Sequence, residues 1–319
     1  MLAILLVPVS SWAWGRRGHS IIGENAALLV SDQPEAGFMR EHSYDFGYYA
    51  NVPDFIWKRP ASYGAERSEH YVDLDLFKRE FAKKSEITKP FELSRKEFNE
   101  KFPEIKTETG RAFWRIRELD QKLSGLTQQL KALAEPTGAA RQKLQEQWIL
   151  TAGVMAHYVG DLSMPLHVTE NHDGQMTDQK GIHSYFEDAV VDQLYPEITV
   201  EVNHEAKKQW PAFQKKNSGK SDLELIMAIA DRSEAAIPKL LAIDKKSKRE
   251  DLKTAVKAYH TMIRDRLVDS TLALAELYRR QLGWKFDSNK FYYFGSEPAY
   301  IQPGDLSSAV PTAPETTKK

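Results

Sequence analysis

Apolar residues recur at three- and four-residue intervals over residues 21–30, 111–133, 141–160, 184–194, 223–230 and 251–282, the spacing that gathers them on one face of a helix. Val/Ile/Thr-rich alternation, the mark of a strand, is scarce. Thr109-Gly110 and Pro136-Thr137-Gly138 punctuate the long middle helices, and Pro165 ends the one that carries His157. Residues 48–70 and 165–182 read as loops. With no repeat and no convincing linker, the pattern predicts an all-α protein with a single mostly helical domain over residues 14–300. A Pro/Thr/Lys-rich tail without fixed structure is expected at 301–319.

The first thirteen residues, MLAILLVPVSSWA, depart from that periodicity. They form a short apolar run closed by Ser11-Trp12-Ala13, a small-x-small site of the kind signal peptidase cuts, although no basic residue precedes the run. A membrane-spanning helix needs about 20 apolar residues, so the run is too short to be one. Residues 1–13 are read as a secretory signal, which places the protein outside the cell or in the periplasm. Cleavage there would make Trp14 the new amino terminus.

Composition narrows the chemistry. The 319 residues carry 44 Lys plus Arg against 45 Asp plus Glu, a net charge of -1, so no global field favours a polyanion and any such substrate needs a local positive centre. A bound metal would supply one. The absence of Cys excludes disulfides, thiolate metal sites and cysteine catalysis, leaving imidazole and carboxylate as the available ligands.

The segment TAGVMAHYVGDLSMPLHV, followed by KGIHSYFEDAVV, concentrates those ligands. His157 and Asp161 are four apart and share a helix face, His167 follows the stop at Pro165, and His183 with Glu187 repeats the four-residue spacing. In a chain that is 28% charged, one His-x3-Asp pair is ordinarily a solvated surface pair. Here the same stretch of helix carries Leu150, Gly153 and Val154, so it faces packing, where an unpartnered imidazole and carboxylate would be costly. Imidazole plus carboxylate suits zinc. Upstream, Trp14 to His19, Asp54 and Glu69-His70-Tyr71-Val72-Asp73 are each weak alone and become specific only as an ordered set.

That set, WGRRGHSIIGENAA, PDFIW, HYVD, HYVGDLSMPLH and GIHSYFED, resembles the superfamily of trinuclear zinc phosphodiesterases, which unites the fungal single-strand-specific nucleases P-one and S-one with bacterial zinc-dependent phospholipase C. The resemblance covers residues 14–195. It implies a helical domain with long loops around a cleft holding three zinc ions. One ion would be held by Asp54, His70, His157 and Asp161, and a second by His167, His183 and Glu187. The third would use Asp161 as a bridge, His19, and the amino nitrogen and carbonyl oxygen of Trp14. A free amine must lose its proton to bind metal, and uncleaved precursor would lack that ligand altogether, so activity would await export.

The implied reaction is attack of zinc-activated water on phosphorus, with Asp54 orienting the nucleophile and no side-chain nucleophile required. In the nuclease branch an aromatic after the equivalent of His70 stacks on a base and an acidic residue two further on contacts its edge; Tyr71 and Asp73 occupy those positions. A phosphate-contacting basic residue follows the equivalent of Asp54 there. Lys58 is the nearest candidate, although Trp57 holds the strictly aligned place. Glu187 and the short gap from His167 to His183 lean instead toward the phospholipase branch. Arg17 and Arg67, however, stand where that branch has choline-binding acidic and aromatic residues, and a cationic head would meet like charge. The expectation is therefore a monomeric, single-strand-preferring endonuclease acting on DNA or RNA to leave 5′-phosphates. Phospholipase C is the alternative, and a noncatalytic secreted zinc-binding protein a lesser one.

Other features carry blander expectations. His42, His204 and His260 are read as surface or packing residues, His172 and Asp173 as a solvated loop, and 245–249 as a solvated charge run. The aromatics Trp284, Phe286, Phe291, Tyr292, Tyr293 and Phe294 are read as a packed terminus.

Overall fold

A computed structural model describes residues 14–59, 61–82, 90–288 and 298–304. The protein is all-α: among the described residues no strand forms, and extended pairing is limited to one antiparallel bridge between Val72 and Gly110. Seven helices frame the site: α1 (Gly15–Val30), α2 (Ser43–Tyr49), α3 (Ala112–Ala132), α4 (Ala139–Ser163), α5 (Glu197–Asn217), α6 (Asp222–Lys246) and α7 (Leu252–Arg280). No described helix is long and apolar enough to cross a membrane. The expected signal at 1–13 and the aromatics Phe291 to Phe294 lie outside the described residues.

Helix α4 is the axis of the fold. From Thr151 to Ser163 every residue is buried, whatever face it occupies, as expected of a helix enclosed on all sides by α1, α2, α3, α6 and α7. Polar groups on the surrounding helices are matched to it: Tyr278 donates to the Ala152 carbonyl at 2.8 Å, Ser233 to that of Leu162 at 2.7 Å, and the Trp148 indole to Thr127 at 2.9 Å. Such pairing removes the cost of burying them. Two glycines let helices approach α4 closely: a Cβ at Gly153 would lie 2.5 Å from that of Tyr49 on α2, and α1 comes in at Gly160. A Cβ at Gly160 would lie 3.1 Å from His19 Nδ1 and 3.0 Å from Ile22, so the missing side chain is what lets His19 reach the middle of α4.

Three differences from the sequence pattern have identifiable causes. Residues 48–70 are not an open loop but a run of short helical turns, Pro53–Trp57, Tyr63–Glu66 and Arg67–His70. Each is too brief to display a period and is held by tertiary contacts. Helix α5 was not anticipated; its buried Ile198, Val202, Ala206 and Trp210 fall four apart, but charged residues and Pro211 dilute the signal. Helix α6 runs far past the expected 223–230, continuing through Pro238; it starts at Ser221, whose hydroxyl accepts from Glu224 N at 3.2 Å while Glu224 accepts from Ser221 N at 2.7 Å. The tail expected from residue 301 is fixed as far as Gly304 by bonds described below; the rest lies outside the described residues.

Candidate metal centre

Three helical spacings of four residues converge in the middle of the protein. His157 and Asp161 on α4 have Nε2 and Oδ2 3.4 Å apart, His183 and Glu187 have Nε2 and Oε2 2.9 Å apart, and Glu66 and His70 have Oε1 and Nε2 3.2 Å apart. Asp54 and Glu187 both sit on widened π-helical turns, Pro53–Trp57 and Tyr185–Val190, a local geometry often found at functional sites. Three groups of side chains each offer ligand atoms within 4.8 Å of one another: His19 with His157 and Asp161, Asp54 with His70 and His157, and His167 with His183 and Glu187. These eight are the side-chain ligands expected from the sequence.

Proton positions within the centre follow from what faces each ring. A carbonyl oxygen can only accept, so a ring nitrogen bonded to one must carry the hydrogen. His157 Nδ1 lies 2.7 Å from the Ala50 carbonyl, His167 Nδ1 2.6 Å from that of His70, and His183 Nδ1 2.6 Å from that of His172. Their Nε2 atoms are therefore bare in the neutral rings. His167 Nε2 and His183 Nε2 face each other at 3.1 Å. At the other end His157 Nε2 faces His70 Nδ1 at 2.9 Å; the same His70 nitrogen also lies 3.1 Å from Asp161 Oδ2, while its Nε2 lies 3.2 Å from Glu66 Oε1 without a hydrogen bond. The facing lone pairs of His167 and His183 repel unless a proton or a metal ion lies between or beside them.

Protonation is the disfavoured remedy. Burial pushes His157, His70 and His167 well below the usual imidazole range and His183 down to about 4. It also pushes Asp161 and Glu187 well above the carboxylate range, with neighbouring acids adding to the rise. Four buried carboxylates, Asp54, Glu66, Asp161 and Glu187, are matched by one buried cation, Arg115, and the half-buried Lys58. A divalent ion corrects both the repulsion of the lone pairs and the excess of acid, so the donor set fits metal. These buried His, Asp and Glu groups can hold metal ions.

Asp161 links the groups. Its Oδ1 lies 3.4 Å from His19 Nε2 and its Oδ2 3.1 Å from His70 Nδ1, while the His19 and His157 rings stack 3.9 Å apart. Trp14 enters this region through its main chain, since its indole is turned away, donating to the Gly160 carbonyl at 2.8 Å and to Ser163 at 2.9 Å. These bonds hold Trp14 in the left-handed region, φ 43°, where its N–H approaches Glu187 and its carbonyl accepts from Gly18 at 3.0 Å.

Lys58 is brought to the centre, with Nζ 2.6 Å from Asp54 Oδ1. Burial alone would favour its neutral form, but the Asp54 carboxylate more than offsets this and raises it above the usual lysine range. A cleft of about 880 Å³ opens beside the centre, lined by Lys58, Tyr63, Arg67, His70, Tyr71 and Asp73 and reaching His167 and His183. Tyr71 is partly exposed there, its hydroxyl donating to the Glu108 carbonyl at 2.9 Å. Asp73 is pushed up to about 7 by burial and by Asp75 and Glu170.

Several residues outside the expected set support it. Glu66 and Tyr158 back His70; the only signal available for Glu66 was its four-residue spacing before His70. Asp173 is not merely solvated, because its Oδ1 accepts from Gly181 N at 2.9 Å and His183 N at 3.3 Å. Arg249, at the end of the charge run, pairs with Asp244 at 2.7 Å and donates to the carbonyls of Gln179 and Lys180 at 2.8 Å, latching the loop before His183. His42 packs on Asp45 and Phe286, His260 pairs with Glu201, and Trp284 is buried, in keeping with packing roles. No known family model matches the chain, and no curated protein matches it in sequence.

Proposed function

We propose that this protein is an exported zinc-dependent phosphodiesterase that hydrolyses single-stranded DNA or RNA, leaving 5′-phosphates. The observation that carries the metal half of this reading is the convergence of His19, His70, His157, His167 and His183 with Asp54, Asp161 and Glu187 in three buried ligand groups, with the bare Nε2 atoms of His167 and His183 facing each other. Zinc, three ions in the proposed state, supplies water made acidic near neutral pH and positive charge for the phosphoryl oxygens.

The chain's own groups divide the remaining work. Asp161 reaches His19, His70 and His157 and so ties two ligand groups into one unit. Asp54 would orient the attacking water, and its ion pair keeps Lys58 charged at the edge of the cleft, where an ammonium could hold a phosphoryl oxygen. Removal of residues 1–13 would free the Trp14 amine beside Glu187, adding a nitrogen ligand only in the processed chain.

The wall of the cleft favours nucleic acid over phospholipid. Tyr71 offers a ring for stacking, and Asp73, poised near neutrality, offers both a donor and an acceptor to a base edge. Arg67 puts positive charge where a choline head would need an aromatic.

The test is to offer zinc-loaded protein beginning at Trp14 single-stranded DNA, RNA and mixed phospholipid vesicles in parallel. Hydrolysis of the nucleic acids is expected. Tyr71→Ala should raise KM roughly 5- to 150-fold, equivalent to about 1 to 3 kcal/mol of stacking, with metal content unchanged. Hydrolysis confined to the vesicles would make the protein a phospholipase C, and zinc uptake with no hydrolysis at all would make it a noncatalytic binder.

A further inference from the structure

Behind His70, on the side away from His157, lies a carboxylate that belongs to none of the three ligand groups. Glu66 is fully buried one helical turn before His70, with Oε1 3.2 Å from His70 Nε2. The Tyr158 hydroxyl donates to Oε1, Arg115 Nη2 lies 3.6 Å from Oε2, and the buried Tyr300 hydroxyl comes near the same carboxylate without a hydrogen bond to it.

Tyr300 arrives from the far end of the chain, on a segment fastened at three further points. The Trp57 indole donates to the Pro298 carbonyl at 3.1 Å, Arg115 Nη2 to that of Ile301 at 2.7 Å, and Gly304 N to Glu118 Oε2 at 2.9 Å. The rings of Trp57 and Tyr300 meet edge to face at 5.3 Å. Arg115 therefore grips both the segment and Glu66, while Trp57 sits on the turn that carries Asp54.

An imidazole that binds metal through one nitrogen carries its hydrogen on the other, and a carboxylate within reach of that outer nitrogen, as Glu66 is of His70 Nε2, can fix the ring's orientation and make the inner lone pair more basic. We infer that residues 298–304 form a strap that holds Glu66 in place and, through Glu66, sets His70 as a metal ligand. Glu66 and Tyr300 are positioning residues. The inference rests on the reading of His70 as a ligand and acts on one part of the centre only, because His167 and His183 lean on main-chain carbonyls instead.

The test uses protein beginning at Trp14 and extending through the full remaining chain, with zinc as the probe and free zinc set by a series of chelator buffers. Glu66→Gln should weaken one zinc equivalent about 10- to 100-fold and leave the equivalent at His167, His183 and Glu187 unchanged. Tyr300→Phe removes only a hydroxyl and should weaken the same equivalent by a smaller factor. Weakening of all equivalents together would indicate a general structural role and overturn the inference, as would an effect of Glu66→Gln without one of Tyr300→Phe. The unsubstituted protein separates the two claims: no zinc uptake sinks the metal centre and the strap together, whereas normal uptake by it and by both variants sinks the strap alone.

Discussion

At one end of the candidate metal centre His157 and His70 face each other across 2.9 Å, and at the other His167 and His183 do so across 3.1 Å. The first pair stands on or against α4, wrapped in ionisable side chains: Asp54 with Lys58, Asp161 with His19, and Glu66 with Arg115. The second pair follows the stop at Pro165 and a long turn, and its outer nitrogens rest on the carbonyls of His70 and His172. One end is tuned by charge and the other by the path of the backbone. A substitution near the first should therefore change ligand basicity, whereas one near the second should change where the loop lies.

The sharpest test of this contrast is a pair of ligand deletions. His157 belongs to two of the three ligand groups, so His157→Ala should abolish hydrolysis and lose most of the bound zinc. His183→Ala should also abolish hydrolysis but release only the equivalent at its own end. Zinc measured by elemental analysis after dialysis decides, and equal losses in the two variants would mean that the ends are not independent.

A smaller effect is expected from Arg249, which touches no ligand but holds the carbonyls of Gln179 and Lys180. Arg249→Ala should free the turn before His183 and weaken the zinc there about tenfold, the lower end of the range for outer support of a ligand. The equivalent at His70 and His157 should be unmoved in the same titration. If Arg249→Ala weakens that one instead, support by backbone path is the wrong description of the second end.

The smallest effect concerns the acidic wall beside the second end. Val72 and Leu74 donate to the carbonyls of His167 and Val168, at 2.9 and 3.2 Å, which places Asp73 between Asp75 and Glu170. Because its carboxyl is pushed up to about 7, the folded chain holds this proton more tightly than the unfolded chain. Ionisation of Asp73 therefore costs stability progressively as pH rises from the ordinary carboxylate range toward 7, and the cost is complete above it. Asp73→Asn should raise Tm by a few degrees at pH 8 and by nothing near pH 4. A variant no more stable at pH 8 would contradict the assignment.

Sequence alone determined the helical class, because apolar residues three and four apart can bury together only on a helix. Two of its candidate pairs, His157-x3-Asp161 and His183-x3-Glu187, were legible as well, because a four-residue spacing fixes relative position within one turn wherever the helix lies; the remaining candidates, His19, Asp54, His70 and His167, came only from the resemblance, and the fold brings all eight side chains together. Beyond the four-residue spacing of Glu66 before His70 it gave no sign that Glu66 meets the segment 298–304, since nothing local marks two stretches more than two hundred residues apart as neighbours. The proton on each imidazole was equally beyond it. Whether a ring nitrogen is bare depends on the carbonyl or carboxylate opposite its other nitrogen, and only the packing of α1 and the short turns around α4 brings those partners together.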